Sequence, residues 1–291
     1  MFSPAALEFY GDINFLKAGL VFADAITTVS PTYAREIQTP EYGNGLDGVL
    51  RQRAAVLHGI LNGVDYGEWD PRHDTWIAHP FSPEDLSGKQ QCKAGLQAAL
   101  GLPVDPGVTV IGVVSRLAEQ KGLDLLEQIA PALLQRPVQL VILGRGESRL
   151  ESTFQNLAAA HPQKMSARID FDNTVAHQIE AGSDLFLMPS RYEPCGLNQM
   201  YSLRYGTVPV VRDTGGLADS VVDVDQAPDQ GTGFKFGPAA GESLLRAIDR
   251  ALQLKSDAPA WQSLMQRGMR ADFSWSRSAQ QYRRLYEGVL A

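Results

Sequence analysis

From residue 108 onward, short apolar runs alternate with longer stretches in which apolar positions recur at helical spacing. The apolar runs cover 108–114, 138–144, 167–171, 184–188, 208–211 and 233–236. Between them, and once after the last, the stretches 123–135, 147–160, 174–182, 197–205 and 242–254 have the length of crossover helices. This alternation is the rhythm of an α/β fold. It predicts a doubly wound, parallel, Rossmann-like sheet, in which ligands gather outside the carboxyl ends of the strands.

Residues 1–60 follow another pattern. Residues 26–29 read as a strand, 31–37 as a helix opened by Ser30, and 56–58 as a second strand, while 15–22 is helix-like. That is too little for a domain, so the chain is expected to begin inside a longer one. A proline-broken connector over 69–89 leads to a helix around 90–100, and Phe273-Ser274-Trp275-Ser276 marks the cap of a last helix over 277–290. The expected divisions are therefore 1–60, a remnant of an N-terminal domain; 61–272, the Rossmann-like domain; and 273–291, a closing helix.

Composition narrows the classes of partner. The chain has 291 residues, of which 44% are hydrophobic and 20% charged, which is the make-up of a globular protein. A net charge of −7 disfavours nucleic acid and anionic membrane surfaces as partners, because both need a basic face. A neutral polymer stays an easy partner. The two cysteines, Cys92 and Cys195, lie far apart, which argues against a disulfide framework and for a reducing cytosol or plastid stroma. No metal-ligand cluster, signal peptide or bilayer-length apolar run is written in the sequence.

The chemistry gathers at strand exits. After the run 108–114, Ser115-Arg116-Leu117-Ala118-Glu119-Gln120-Lys121-Gly122 places two cations at the mouth of a helix. Isolated, each would be an ordinary solvated charge; together, Arg116 and Lys121 suit a nucleoside diphosphate, aided by the helix N-terminus. Fixed cations stabilise the negative charge that develops as a sugar-phosphate bond breaks, in the place of a metal. After the run 184–188 comes Glu193-Pro194-Cys195-Gly196-Leu197. Its carboxylate can accept from sugar hydroxyls, and the amides of Cys195, Gly196 and Leu197 can donate at a helix start. Cys195 has no neighbouring His or Lys to activate it and reads as a steric fit. Thr214, Gly215 and Gly216 follow the run 208–211, where glycines let a backbone approach phosphate. Phe171, at the end of the run 167–171, is placed to stack on a purine. The layout is that of a sugar-nucleotide site.

These motifs, with Thr28-Val29-Ser30-Pro31-Thr32-Tyr33-Ala34, Leu61-Asn62-Gly63-Val64-Asp65 and Asp272-Phe273-Ser274-Trp275, resemble the bacterial glycogen synthases and plant starch synthases along nearly the whole chain. The resemblance implies the C-terminal half of a two-domain retaining glucosyltransferase, which passes glucose from ADP-glucose to the 4-hydroxyl at the non-reducing end of an α-1,4-glucan, without a cofactor or metal. By motif it implies diphosphate binding by Arg116 and Lys121, glucosyl binding by Glu193 and the amides of residues 195–197, contact from Asn62 to the same sugar, and Phe171 against adenine.

Two departures matter. Eight positions after Glu193, where related enzymes often carry a second Glu, stands Tyr201, so ribose recognition is not assigned to it. The family's opening Lys-x-Gly-Gly-Leu loop and its early His-containing segments are absent, and Lys17-Ala18-Gly19-Leu20 does not replace the former. The resemblance therefore implies slow or no transfer by this chain alone, and apolar surface exposed on residues 1–60 and on the last helix. A non-catalytic nucleotide- or glucan-binding module, a half-enzyme needing its N-terminal half in trans, and a UDP-sugar transferase or epimerase of the same architecture stay open.

Overall fold

The computed structural model describes residues 2, 3 and 5–290. A short hairpin, β1 (Glu8–Phe9) and β2 (Asp12–Ile13), precedes α1 (Phe15–Phe22). Next come β3 (Ile26–Thr28), α2 (Pro31–Glu36), α3 (Asp47–Gln52) and β4 (Leu57–Gly59), with β3 and β4 paired in parallel. Ser30 opens α2 by accepting from the Tyr33 amide, and Pro31 occupies the first turn, where no amide is needed.

After the connector, α4 (Ser87–Ala99) leads into the expected alternation. It runs β5 (Thr109–Val114), α5 (Leu123–Leu133), β6 (Val138–Leu143), α6 (Ser148–Ala160), β7 (Met165–Arg168) and α7 (Asn173–Gly182). It continues through β8 (Leu185–Met188), α8 (Asn198–Arg204), β9 (Val208–Arg212), α9 (Gly215–Ser220), β10 (Phe234–Phe236) and α10 (Gly241–Lys255). The chain ends in α11 (Ala258–Arg270) and α12 (Trp275–Leu290).

The six strands β10-β9-β8-β5-β6-β7 form one parallel sheet in that spatial order. The chain winds outward from β5 to β7, then restarts at β8 on the other side of β5. The reversal between β5 and β8 leaves a crevice at the carboxyl ends of the strands. All six residues of β6 are buried, as a strand covered on both faces requires. On one face Ile111, Leu140 and Ile142 pack with Leu126 and Leu244; on the other Val110, Val141 and Phe186 pack with Leu96 and Ile179.

At the front, the β1–β2 hairpin and α3 were not expected from the sequence, and three details differ in the rest of the chain. β7 ends at Arg168, so Phe171 lies in the loop beyond the strand. The glycines after β9 begin the short helix α9. Finally, α11 was not anticipated, although Asp257 caps it and Trp261, Leu264, Gly268 and Met269 repeat on one buried face. Among the described residues, no helix is long and apolar enough to cross a membrane.

Residues from the front of the chain rest on the Rossmann-like sheet through polar contacts. The Thr32 amide and hydroxyl both donate to the Asp219 carboxylate on α9, at 2.8 and 2.6 Å. The Ser278 hydroxyl of α12 donates to the Leu61 carbonyl at 2.7 Å. Apolar surface is exposed here as expected: Phe15 is 79% exposed and Leu290 87%.

The connector is fastened to α8 by Asp70. Its carboxylate accepts from Arg72 at 2.6 Å and Arg204 at 2.5 Å. Burial alone would raise its pKa, but these hydrogen bonds outweigh it and hold the carboxyl at about 2. Replacing Asp70 by Ala leaves Arg204 without its buried partner and is expected to cost about 3 kcal/mol in urea unfolding at neutral pH. In the unmodified chain this contribution is present above about pH 4, the ordinary aspartate value, and is lost as pH falls towards 2. An acid-unfolding profile identical in the two proteins would contradict it.

Candidate functional site

A cavity of about 520 Å³ occupies the crevice where the sheet reverses. Arg116 and Lys121 enter it from the β5 exit, and Glu193 with Cys195, Gly196 and Leu197 from the β8 exit, while Asn62 borders it from the segment after β4. The sequence separates Lys121 and Glu193 by 72 positions, yet the Lys121 ammonium donates to Glu193 Oε2 at 2.6 Å. Their side chains are 19% and 7% exposed. Gly122 makes the approach possible: its φ is +68°, and a Cβ there would lie 1.9 Å from the Pro189 carbonyl oxygen. Only glycine lets the loop after β8 lie against the start of α5.

Glu193 is further fixed by Ser190, whose buried hydroxyl donates to the same Oε2 at 2.9 Å. Arg116 stands at the rim, exposed, with Nη2 donating to Gln120 Oε1 at 2.9 Å. The amides of Cys195, Gly196 and Leu197 donate no hydrogen bond inside the protein among the described residues, so they are available to a ligand. The Asn198 side chain, at the start of α8, donates to the Val114 carbonyl at 2.7 Å and joins the β5 and β8 exits.

A second cavity of about 450 Å³ adjoins the first and shares Val114, Ser115, Arg116 and Asn198 with it. Phe171 borders it and is 73% exposed. Asp172 caps α7 behind it by accepting from the Val175 amide at 3.0 Å. One continuous trough thus presents a flat ring, two cations, a row of amides and a carboxylate, in that order of chemistry along a sugar nucleotide.

Thr214, Gly215 and Gly216 lie elsewhere. They border neither cavity, and their donors are spent inside the protein. The Thr214 hydroxyl and the Gly215 amide donate to Glu36 Oε1 of α2 at 2.8 and 3.0 Å, and the Gly216 amide donates to the Glu193 carbonyl at 3.0 Å. A Cβ on Gly215 would sit 1.9 Å from the Glu193 carbonyl oxygen, and one on Gly216 2.0 Å from that of Cys195. The glycines serve close packing beneath the Glu193 loop, where phosphate contact was expected. Tyr201 also faces away, stacked on Trp69 at 4.0 Å between ring centres, with His177 on the other side of Trp69 at 3.7 Å.

Sequence reasoning did not single out Ser190 or Asn198. Ser190 lies three positions before Glu193 at the strand exit, and Asn198 opens the helix after the Glu-Pro-Cys-Gly-Leu run. Both positions are visible in the sequence; the partners that give them meaning are not.

Residues 101–264 match the family described as glycosyl transferases group 1, and residues 1–52 match the starch synthase catalytic domain. A glycogen synthase of Anaeromyxobacter sp. (strain Fw109-5) is 57% identical over the whole chain, and one of Koribacter versatilis is 52% identical over 99% of it. The chain spans 61% and 59% of those two relatives. Among solved structures, the catalytic domain of starch synthase IV from Arabidopsis thaliana, bound to ADP and acarbose, superposes with a TM-score of 0.92 at 35% identity. That match covers 99% of this chain and 60% of the other. A sucrose-phosphate synthase from Thermosynechococcus elongatus shares the fold, with a TM-score of 0.64 at 22% identity over 94% of this chain and 60% of that one.

Burial pushes the Cys195 thiol up from its ordinary 9.0 to about 11, against a weaker opposing effect of the Asn62 backbone. The thiol therefore stays protonated through neutral pH and is a poor nucleophile. Iodoacetamide at about pH 8, near the ordinary thiol pKa, is expected to leave Cys195 unmodified in the folded chain and to alkylate it in urea, as read by peptide mass. Rapid alkylation of the folded protein would overturn this. The raised value also means that stability falls as pH rises from 9 towards 11, because only the unfolded chain gains by ionising.

Proposed function

The chain belongs to the glycosyl transferases of group 1, and we propose that it is the donor-binding portion of an ADP-glucose-dependent α-1,4-glucan synthase of the glycogen and starch synthase type. The observation that carries this reading is the Lys121–Glu193 pair at the sheet reversal, beside Arg116 and continuous with the cavity of Phe171. Its similarity to starch synthase IV, a protein solved with ADP and acarbose, supports the choice of adenine and of a glucan.

In the proposed reaction the diphosphate lies against Arg116 and Lys121, which stabilise the charge it gains on leaving. No metal is required, because two fixed cations already meet that charge. The glucosyl unit sits over the amides of Cys195 to Leu197, with Glu193 accepting from its hydroxyls and stabilising positive charge at the sugar. Asn62 approaches the same sugar from the segment after β4. Phe171 stacks on the adenine. Retention of configuration follows from attack on the face from which ADP leaves, with the leaving phosphate oxygen taking the proton of the acceptor 4-hydroxyl. Two buried, unpaired cysteines fit a reducing compartment such as the cytosol.

Because the chain spans about 60% of its relatives, a half-enzyme completed by another segment is the second reading. With ADP-glucose and glycogen, the chain alone is expected to release ADP roughly a hundredfold more slowly than a complete enzyme, since the acceptor is left unpositioned. Adding the part of the Anaeromyxobacter relative that this chain does not span should restore turnover if the half-enzyme reading holds. Unchanged slow release would leave a binding module.

Calorimetric titration tests the donor site directly. ADP is expected to bind saturably and more tightly than UDP, and Lys121→Ala to weaken ADP by about 2 kcal/mol, roughly 30-fold. Preference for UDP would move the substrate to another sugar nucleotide. Equal ADP affinity in the variant would remove Lys121 from the site.

A further inference from the structure

Tyr192 and Glu193 are neighbours in sequence, but they border different cavities. Glu193 faces the trough described above, whereas Tyr192, 41% exposed, borders a separate cleft of about 330 Å³. That cleft lies between the front of the chain and the exits of β8 and β9. Its walls carry Tyr33 from α2, Glu41 and Tyr42 from the following loop, Tyr192 and Arg191 from the β8 exit, and Arg212 from the end of β9. Its volume falls within the roughly 300–1,000 Å³ of small-molecule sites.

The polar groups of these walls point to a ligand. The hydroxyls of Tyr33, Tyr42 and Tyr192 make no hydrogen bond to the protein among the described residues, and neither does the Glu41 carboxylate. Three phenols converging from three separate segments without partners are poorly explained by packing alone. The adjoining Asn44 holds a left-handed backbone, with φ +49°, which asparagine adopts more readily than most residues, and it adds an amide to the wall. The guanidinium donors, by contrast, are largely spent. Arg191 donates to Asp124, and Arg212 gives Nη1 to the Arg191 carbonyl and Nε to that of Gly237.

An anionic ligand would need an excess of positive charge, and the walls carry none: Arg191 is paired with Asp124, and the unpaired Glu41 balances Arg212 in the count of charges. A pyranose ring suits the walls better: its C–H face lies on tyrosine rings, and its hydroxyls meet phenols, a carboxylate and an amide. We propose that this cleft is an auxiliary glucan-binding site, which holds a stretch of α-1,4-glucan on the far side of the segment that carries Glu193. The choice of glucan among neutral sugars rests on the function proposed above.

The test is electrophoresis of the folded chain through native gels containing glycogen, with ADP affinity measured in parallel by calorimetry. Glycogen is expected to retard the chain. Tyr42→Ala and Tyr192→Ala should each weaken that retardation about tenfold, the usual effect of removing an aromatic anchor, with ADP affinity unchanged. Retardation of both variants equal to that of the unmodified chain would overturn the proposal. So would its absence in a chain that binds ADP, or displacement of glycogen by inorganic phosphate at constant ionic strength. Tyrosine-dependent retardation without ADP binding would instead remove the donor reading and leave the cleft standing.

Discussion

Lys121 and Glu193 meet across the gap between β5 and β8, and the surrounding architecture is arranged so that they can. The sheet must reverse its winding there to leave a crevice, and Gly122 must admit the Pro189 carbonyl for the two loops to touch. Such a pair is weak evidence for stability, because removing two charges from water costs about as much as their attraction returns. Its importance is positional. It holds a cation and a carboxylate in fixed orientation before a ligand arrives, and part of the cost of ordering them is met in folding.

Behind the crevice, the floor is stiffened by polar groups that face no cavity. Asp74 receives the Tyr205 hydroxyl at 2.5 Å and lies 2.7 Å from His177 Nδ1, tying the connector to α7 and to the end of α8. Lys89 of α4 donates to the Ala181 carbonyl and to the Thr207 hydroxyl, and Glu180 accepts from Ser202. Burial pushes each of these two ionisable groups towards its neutral form, to about 8 in both cases. Glu180 Oε1 and His177 Nε2 stay buried without a hydrogen-bond partner, so these networks fix one arrangement at a cost in free energy. Here the favoured arrangement is that of α8, whose start follows directly on the unpaired amides of residues 195–197.

The fold was legible because burial on both faces writes a parallel strand as an unbroken apolar run, and the runs at β5, β6 and β8 fall within a residue or so of their expected limits. β7 was placed too late because Ile169 continues the apolar run after the hydrogen-bonded ladder has ended at Arg168. α11 was not expected, although Pro259 falls in its first turn, where proline is compatible with a helix. At the site, Arg116, Lys121, Glu193 and residues 195–197 could be recognised as local runs with a chemical pattern. The role of Thr214-Gly215-Gly216 could not. A glycine required by a phosphate and a glycine required by a neighbouring carbonyl look the same in one sequence, and only the third dimension shows that Glu193 and Cys195 supply the crowding.

Glu36 connects two parts of the molecule that the sequence keeps far apart. One oxygen of its carboxylate holds the start of α9, and the other is buried with no hydrogen-bond partner. An unsatisfied buried oxygen stores free energy that a small displacement can release. α9 in turn props the Glu193 carbonyl through Gly216. Any shift of α2 against the sheet would therefore pass along a chain of three contacts to the carboxylate in the crevice. The front of the chain is thus tied to the backbone of Glu193, although none of the described residues among its first 28 borders that cavity.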